Sequence, residues 1–165
     1  MLKNLTATLV LAAAAIVAQP VWAEGNVADV TDMQALREAV RADKKAFVTA
    51  TLKLTDAEAK KFWPIYDAYQ RDLDVVNRRR VRALETLVGR DKAMSDIYAR
   101  NLAAELIATD EAEIKLRRAL QNRLMSRTPG RTVMPAAKAA RYLQLESKIR
   151  AYQAYDIAVT FPLVK

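Results

Sequence analysis

The sequence predicts an all-α protein, an elongated helical hairpin of about four helices. Only three of its 165 residues are Gly, and the chain is rich in Ala, Leu, Arg, Lys and Glu, which favour helix. Its apolar residues recur at three- and four-residue steps, the spacing of one helix face. Long helices in so short a chain leave apolar stripes that need each other or a second copy. We therefore expect a homodimer.

Residues 1–23 are predicted to be a secretory signal peptide. Lys3 supplies the positive n-region and residues 5–18 the apolar h-region, with cleavage expected after Ala23. An uncleaved membrane anchor is the alternative, but the apolar run is shorter than the ~20 residues that span a bilayer. We expect an exported, periplasmic protein in which residues 24–30 form a flexible leader and residues 31–165 a single helical domain.

The first two helices are predicted from capping signals. Thr31 and Gln34 have the form of a capping box, and that helix should end near Leu52. Thr55 and Glu58 repeat the pattern more strongly, with Leu54 before them, and predict a second helix over residues 56–88. Pro64 should bend it, because proline has no amide for the Lys60 carbonyl.

The third helix is predicted to start at the cap Ser95 and to end before Pro129-Gly130. It should carry a long apolar stripe: Ile97, Leu102, Leu106, Ile107, Ile114, Leu116, Leu120 and Leu124. The fourth helix should start around Pro135, where a first-turn proline is tolerated. It should bury Tyr142, Leu145, Ile149 and Tyr152, and fade after Asp156 into an extended apolar tail.

The start of the second helix resembles the Spy/CpxP-like family of periplasmic helical proteins, whose motif is Leu-Thr-x-x-Gln. Leu54, Thr55 and Glu58 match it, with Glu in place of Gln. The segment Phe62-Trp63-Pro64-Ile65-Tyr66 and residues 139–150 are similar to segments of an uncharacterised subgroup, so the resemblance covers roughly residues 50–165. The family's second motif copy is not recognisable in this chain.

That resemblance implies a cradle-shaped antiparallel dimer. It also implies ATP-independent chaperoning of unfolded envelope proteins or envelope-stress signalling, and zinc binding in some relatives. The chain has no His and no Cys, which removes the usual zinc ligands, the Cys nucleophile and the His-based triad. It also has no Gly-rich phosphate loop. We expect a binding protein with no catalytic residue, no cofactor and no metal site, and therefore not an enzyme.

The basic residues are concentrated late in the chain. Between Lys115 and Arg150 there are ten Lys or Arg and one acid, Glu146. The candidate partner-binding face consists of Arg117, Arg118, Arg123, Arg127, Arg131, Lys138 and Arg141. It would bind unfolded or acidic envelope proteins. Alternatives are a structural envelope protein that binds anionic lipid or lipopolysaccharide, an adaptor of an envelope-stress sensor, or a solvated face that aids solubility. Export disfavours nucleic acid.

Three further groups have a structural and a functional interpretation. The aromatic residues Phe62, Trp63, Tyr66 and Tyr69 are expected mainly in the core, although an open cradle would leave some in a groove. Arg80 breaks the apolar stripe of the second helix, so its stem should pack while its guanidinium reaches a carboxylate or the surface. The acids Asp110, Glu111 and Glu113 should pair with Lys115 or Arg117 rather than bind calcium.

Overall fold

The computed structural model describes residues 32–88, 92–128 and 130–164, and these ranges contain four α-helices and no strand. The helices are α1 (Met33–Leu52), α2 (Asp56–Glu85), α3 (Asp96–Leu124) and α4 (Ala136–Thr160). The predicted all-α fold with four helices is confirmed. The predicted signal peptide and leader lie outside the described residues. Within the described ranges, no helix combines the length and the apolar composition needed to cross a bilayer.

The N-cap of α1 is Asp32, so the predicted cap at Thr31, itself outside the described residues, is wrong by one position. The Asp32 carboxylate accepts hydrogen bonds from the backbone amides of Gln34, at 2.8 Å, and Ala35, at 3.1 Å. Asp is among the best N-cap residues because its oxygen satisfies first-turn amides. The helix ends at Leu52, as predicted.

An interruption at Asp43 divides α1 into two helical segments. The backbone of Asp43 is extended, with φ −161° and ψ 101°, and its carboxylate accepts from the Ala46 amide at 2.9 Å. Asp43 therefore caps the second segment in the same way as Asp32 caps the first. This break was not among the features predicted from the sequence.

Helix α2 begins at its predicted capping box and continues through Pro64 as one helix. It ends at Glu85, three residues before the predicted end. The amides of Leu87 and Val88 then bond the carbonyls of Leu84 and Glu85 in a tightened final turn. The proposed stop, Gly89, lies outside the described residues.

Helix α3 starts after Ser95 as predicted, but only part of its predicted stripe is buried. Leu102, Leu120 and Leu124 are buried. Ile97, Ile107 and Ile114 are instead exposed, at 75%, 59% and 56%. The helix packs mainly on α2 and makes much smaller contact with α4. Its stripe is therefore wider than the surface that covers it.

Helix α4 starts after Pro135 and continues to Thr160, about one turn beyond the predicted fade. Arg37 in α1 forms an ion pair with Asp156 at 2.7 Å, which ties this last turn to the start of α1. Tyr142 and Ile149 are fully buried as predicted, whereas Tyr152 is only partly buried. Phe161 then takes an extended conformation.

Consecutive helices run antiparallel, so the chain goes up, down, up and down. Two contacts for each pair of helices show this order: Lys44–Gln70 and Lys45–Asp67 for α1 and α2, Arg79–Glu105 and the groove shared by Lys61 and Ser126 for α2 and α3, Arg117–Ser147 and Arg150–Glu113 for α3 and α4, and Arg37–Asp156 and Lys44–Glu146 for α1 and α4. All four helices contribute to one core. Its largest fully buried apolar side chains are Tyr142, Phe62, Leu36, Leu124 and Ile149.

The segment between α3 and α4 is anchored to this core. Val133 and Met134 are buried, with 6% and 3% exposed. Gly130 has φ +76°, a left-handed conformation that L side chains rarely adopt. The amide of Arg131 donates to the Thr128 carbonyl at 3.0 Å. Residues 125–128 and 130–135 therefore form a connection that two buried apolar side chains anchor to the core, and we call these residues the α3–α4 loop.

Candidate functional site

The Leu-Thr-x-x-Glu segment builds the start of α2 and connects it to α4. The Thr55 hydroxyl accepts from the Glu58 amide at 3.3 Å, and the Glu58 carboxylate accepts from the Thr55 amide at 2.8 Å. Leu54 packs against the core. Lys138 of α4 donates to the Glu58 carboxylate at 2.8 Å and to the Lys53 carbonyl at 2.9 Å. The hydrogen bond from Lys138, aided by that of the Thr55 amide, lowers the pKa of Glu58.

The aromatic residues after this segment belong to the core, as the structural interpretation predicted. Phe62, Tyr66 and Tyr69 are buried. Phe62 meets Tyr142 edge to face at 5.0 Å between ring centroids, and Trp63 meets Tyr66 in the same way at 5.2 Å. Trp63 is partly exposed and has the Lys45 ammonium 5.5 Å from its ring centroid. Trp63 and the exposed Pro64 are therefore the residues of the aromatic-proline segment that face outward.

The predicted basic face is exposed at six of its seven positions. The exposed members, together with Lys115, form what we call the basic surface: Lys115, Arg117, Arg118, Arg123, Arg127, Arg131 and Arg141. The seventh predicted member, Lys138, is half-buried and bonded to Glu58 and Lys53. The structure thus brings the end of α3, the α3–α4 loop and the start of α4 together as one positively charged end of the molecule.

The carboxylates of this part of the chain are absent or withdrawn. Residues 114–145 contain no Asp or Glu. Glu146, the single acid of the predicted block, is only 2% exposed. Its carboxylate lies 3.4 Å from the Lys44 ammonium and accepts from the Gln70 amide at 3.2 Å. The positive charge of the basic surface is therefore not compensated by acids from its own segment.

The buried carboxylate of Glu146 affects the pKa values of Lys44 and Tyr142. Burial lowers the pKa of Lys44, and the attraction of Glu146 opposes this shift. Burial also raises the pKa of the Tyr142 hydroxyl, and the negative charge of Glu146 adds to the increase. Tyr142 therefore stays neutral in the core at any physiological pH.

Two open grooves flank the end of α3. The first, which we call the α3–α4 groove, has a volume of about 400 Å³. In it, Arg117 donates to the Ser147 hydroxyl at 2.8 Å. Its lining is mostly polar or charged: Ile114, Arg117, Arg118, Gln121, Leu143, Gln144 and Ser147.

The second, which we call the α2–loop groove, has a volume of about 500 Å³ and lies between α2, the end of α3 and the α3–α4 loop. Its cationic lining residues are Lys60, Lys61, Arg123 and Arg131, and its apolar ones are Pro64, Ile65 and Val133. The predicted basic face includes Arg123 and Arg131 but not the two lysines. A signal was available, because Lys60 and Lys61 directly precede the aromatic-proline segment.

Arg80 and Arg150 are basic residues that do not reach the basic surface. Arg80 bonds to Asp110 and lies 3.3 Å from Glu113, while Arg150 donates to Glu113 at 2.6 Å. The prediction that Arg80 reaches a carboxylate is confirmed. The predicted ion pairing of the acids Asp110 and Glu113 is correct, but the expected partners on α3 are wrong. Arg80 of α2 and Arg150 of α4 both meet Glu113, whose side chain is 15% exposed, and this burial strengthens the pairing.

Ionisation of Glu113 reflects these contacts. Burial by itself would raise the pKa of its carboxyl, but the hydrogen bonds and positive charges of Arg150 and Arg80 lower it overall. No group of three or more acidic side chains among the described residues is arranged to hold a metal ion. The Arg80–Glu113–Arg150 contact is therefore a structural ion-pair layer between three helices.

No protein-family model, curated protein or solved structure matches this chain.

Proposed function

We propose that this protein is an exported binding protein of the Spy/CpxP-like kind. In this proposal it acts in the periplasm as an ATP-independent chaperone or envelope-stress modulator. It would hold unfolded or acidic proteins on its basic surface. The observation that supports the proposal most directly is the concentration of seven exposed cations at one end, where residues 114–145 contain no acid.

The properties of this end suit an unfolded polypeptide. A surface of one charge attracts acidic chains over a distance of roughly 10 Å at moderate salt. Ile114 and Leu143 lie beside Arg117 and Arg118 in the α3–α4 groove. Apolar and cationic groups side by side can contact both kinds of side chain that an unfolded acidic protein exposes. Such binding needs no nucleotide.

The proposal includes an antiparallel homodimer, for which the opposite end of the molecule offers apolar surface. Ile97 and Tyr98 at the start of α3, and Tyr155 and Val159 near the end of α4, are exposed. Sedimentation of the purified chain should give twice the monomer mass, and Tyr155→Lys should shift it toward monomer. A monomeric wild-type chain at high concentration would remove the dimer from the proposal.

An aggregation assay tests the binding function. The chain without residues 1–23 should suppress aggregation of an unfolded acidic model protein without nucleotide, and less so as salt rises. The variant Arg117→Glu, Arg118→Glu, Arg123→Glu and Arg127→Glu should lose most of this protection. The matched control reverses four exposed cations elsewhere: Arg71, Arg82, Lys92 and Arg100.

Three results would decide between the alternatives. Absence of protection by the wild-type chain at low salt and in excess would contradict the chaperone proposal. Equal loss in the two quadruple variants would mean that net charge alone, and not the basic surface, is responsible. Co-sedimentation with anionic liposomes in the absence of protection would instead support an envelope protein that binds lipid or lipopolysaccharide.

A further inference from the structure

The α2–loop groove differs from the rest of the basic surface because cations surround an apolar floor. Pro64, Ile65 and Val133 supply apolar surface, and Lys60, Arg123 and Arg131 stand around it. No Asp or Glu is among the described residues that line it. Its volume of about 500 Å³ falls within the ~300–1,000 Å³ typical of ligand sites.

The groove is preformed. Val133 is held in the core at 6% exposure, and Gly130 sets the turn with its positive φ. Lys61 donates from its ammonium to the Thr132 carbonyl at 2.9 Å, which fastens the loop to α2. A site that is already ordered loses little conformational entropy when it binds a ligand. Lys61 thus acts as a positioning residue for the loop side of the groove.

Polar groups in the groove suit an extended backbone as well as acidic side chains. Asn122 and Ser126 line it beside Arg123 and can donate or accept hydrogen bonds. A peptide strand offers both amides and carbonyls to such groups.

We propose that the α2–loop groove is the docking site for a short acidic peptide segment that contains one large apolar side chain. The proposal rests on the function proposed above and names the part of an acidic client that would be recognised. The apolar side chain would lie against Ile65 and Pro64, and flanking carboxylates would pair with Arg123 and Arg131. Charge complementarity selects this occupant, because the cations of the groove lack acidic partners along its lining.

The α3–α4 groove serves as the matched comparison. It also has two exposed arginines, Arg117 and Arg118, but Arg117 already bonds Ser147. Polar side chains occupy most of its lining. It can attract an acidic chain by charge, yet it offers less apolar surface to a bound side chain.

Fluorescence anisotropy with a defined probe tests the assignment. The probe is a fluorescein-labelled decapeptide of Glu, Asp and Ser with one central Leu, titrated with the full mature chain at low salt. We expect Arg123→Glu with Arg131→Glu to weaken binding by about tenfold or more, and Arg117→Glu with Arg118→Glu by less than about threefold. Circular dichroism confirms that both variants are folded, as expected for exposed residues.

A second variant tests the apolar contact separately. Replacing the Leu of the probe by Ser should weaken its binding to the wild-type chain by about fivefold. The same replacement should change binding to the Ile65→Ser variant little, because that variant already lacks the apolar contact. Because Ile65 is partly buried against the core, a variant that leaves the apolar floor of the groove unchanged provides an independent check. Asn122→Asp adds a negative charge to the groove and is measured in the same way. It should also weaken binding.

The outcomes separate this proposal from the function on which it rests. Equal losses from the two double variants, or no effect of the Leu-to-Ser change in the probe, would overturn the groove assignment while leaving the aggregation result unaffected. Failure of the wild-type chain to bind the probe would also overturn it. Absence of aggregation suppression would instead contradict the proposed function, even if the peptide bound.

Discussion

The two halves of α3 carry opposite charge and are used differently. Its first half, residues 96–113, contains five acids and one cation, Arg100. Three of these acids bond to arginines that come from α2 and α4. Its second half, residues 114–124, contains four cations and no acid, and these cations are exposed. One helix thus binds its neighbours through charge at one end and presents charge to solvent at the other.

This difference shows that a basic residue gains its role from its carboxylate neighbours. Arg80 and Arg150 have side-chain exposures of 12% and 5% and face Glu113 from two helices. Arg118 and Arg123 belong to the same basic stretch of sequence as Arg150 but stand on the surface. The contrast also agrees with the helix dipole, which favours acids near the start of a helix and cations near its end.

The largest expected effect on stability comes from removing Glu113, the acid that joins α3 to α2 and α4. Glu113→Ala should lower the free energy of unfolding by about 3 kcal/mol, because Arg150 is left buried without its charge partner. Urea denaturation followed by circular dichroism measures it. The control is Glu111→Ala in the same helix turn, where the side chain is exposed and the change should stay within about 0.5 kcal/mol. Equal effects would remove the distinction.

Acid should lower the melting temperature through the ion-paired carboxylates in the first half of α3, because the second half contains no acid. The folded state lowers the pKa of Glu113 and, through Arg79, that of Glu105. The native protein therefore binds fewer protons than the unfolded chain below the ordinary glutamate value of about 4.3. The stabilisation is present above that pH and is lost as the pH falls toward the folded pKa values. The melting temperature should drop between pH 5 and pH 3.

The same pH series can be assigned to one residue. Glu113→Ala should show a shallower drop in melting temperature than the wild-type chain, because one group with a lowered pKa is missing. Identical slopes in the two proteins would mean that Glu113 does not contribute to the acid sensitivity.

Charge reversal in the second half of α3 and at Arg127 of the α3–α4 loop should affect stability little. Arg117→Glu, Arg118→Glu, Arg123→Glu and Arg127→Glu together should change the free energy of unfolding by no more than about 1 kcal/mol, since exposed charges contribute weakly and dipole losses are offset by reduced repulsion. Chemical denaturation at physiological salt measures it. A loss near that of Glu113→Ala would show that these arginines are structural.

The smallest expected effect on stability is that of Tyr69→Phe, which we compare with Tyr142→Phe. The Tyr69 hydroxyl is buried and has no hydrogen-bond partner in the described part of the chain. Tyr69→Phe should therefore leave stability unchanged within about 0.5 kcal/mol or raise it slightly. Tyr142→Phe, which removes a hydroxyl 3.4 Å from Glu146, should cost about 1 kcal/mol. Thermal melting of both variants compares them, and a larger loss for Tyr69→Phe would reverse the assignment.

Features set by neighbouring residues were predictable. The capping box of Thr55 and Glu58, the starts of α3 and α4, and the buried aromatic residues all follow from spacing within a few residues. The break at Asp43 was also local, but Asp is common on helix surfaces and no other signal marked it. The exposure of Ile97 and Ile107 was not predictable, since apolar spacing defines a face but not what covers it.

The candidate site divides in the same way. The sequence identified the acid-free basic stretch, yet it could not tell that Lys138 and Arg150 turn toward Glu58 and Glu113. Nor could it join Lys60 to Arg131, which lie 71 residues apart and meet only because the α3–α4 loop folds against α2.

The sequence alone determined four helices, most of their ends and the excess of positive charge after residue 113, because caps, turns and charge are properties of adjacent residues. Tertiary structure decided which cations are free to meet a partner. Carboxylates from distant helices neutralise Arg80, Lys138 and Arg150, and Glu146 is buried away from the surface. Helix packing sets these distances, and electrostatic interactions depend on distance and burial rather than on order in the chain.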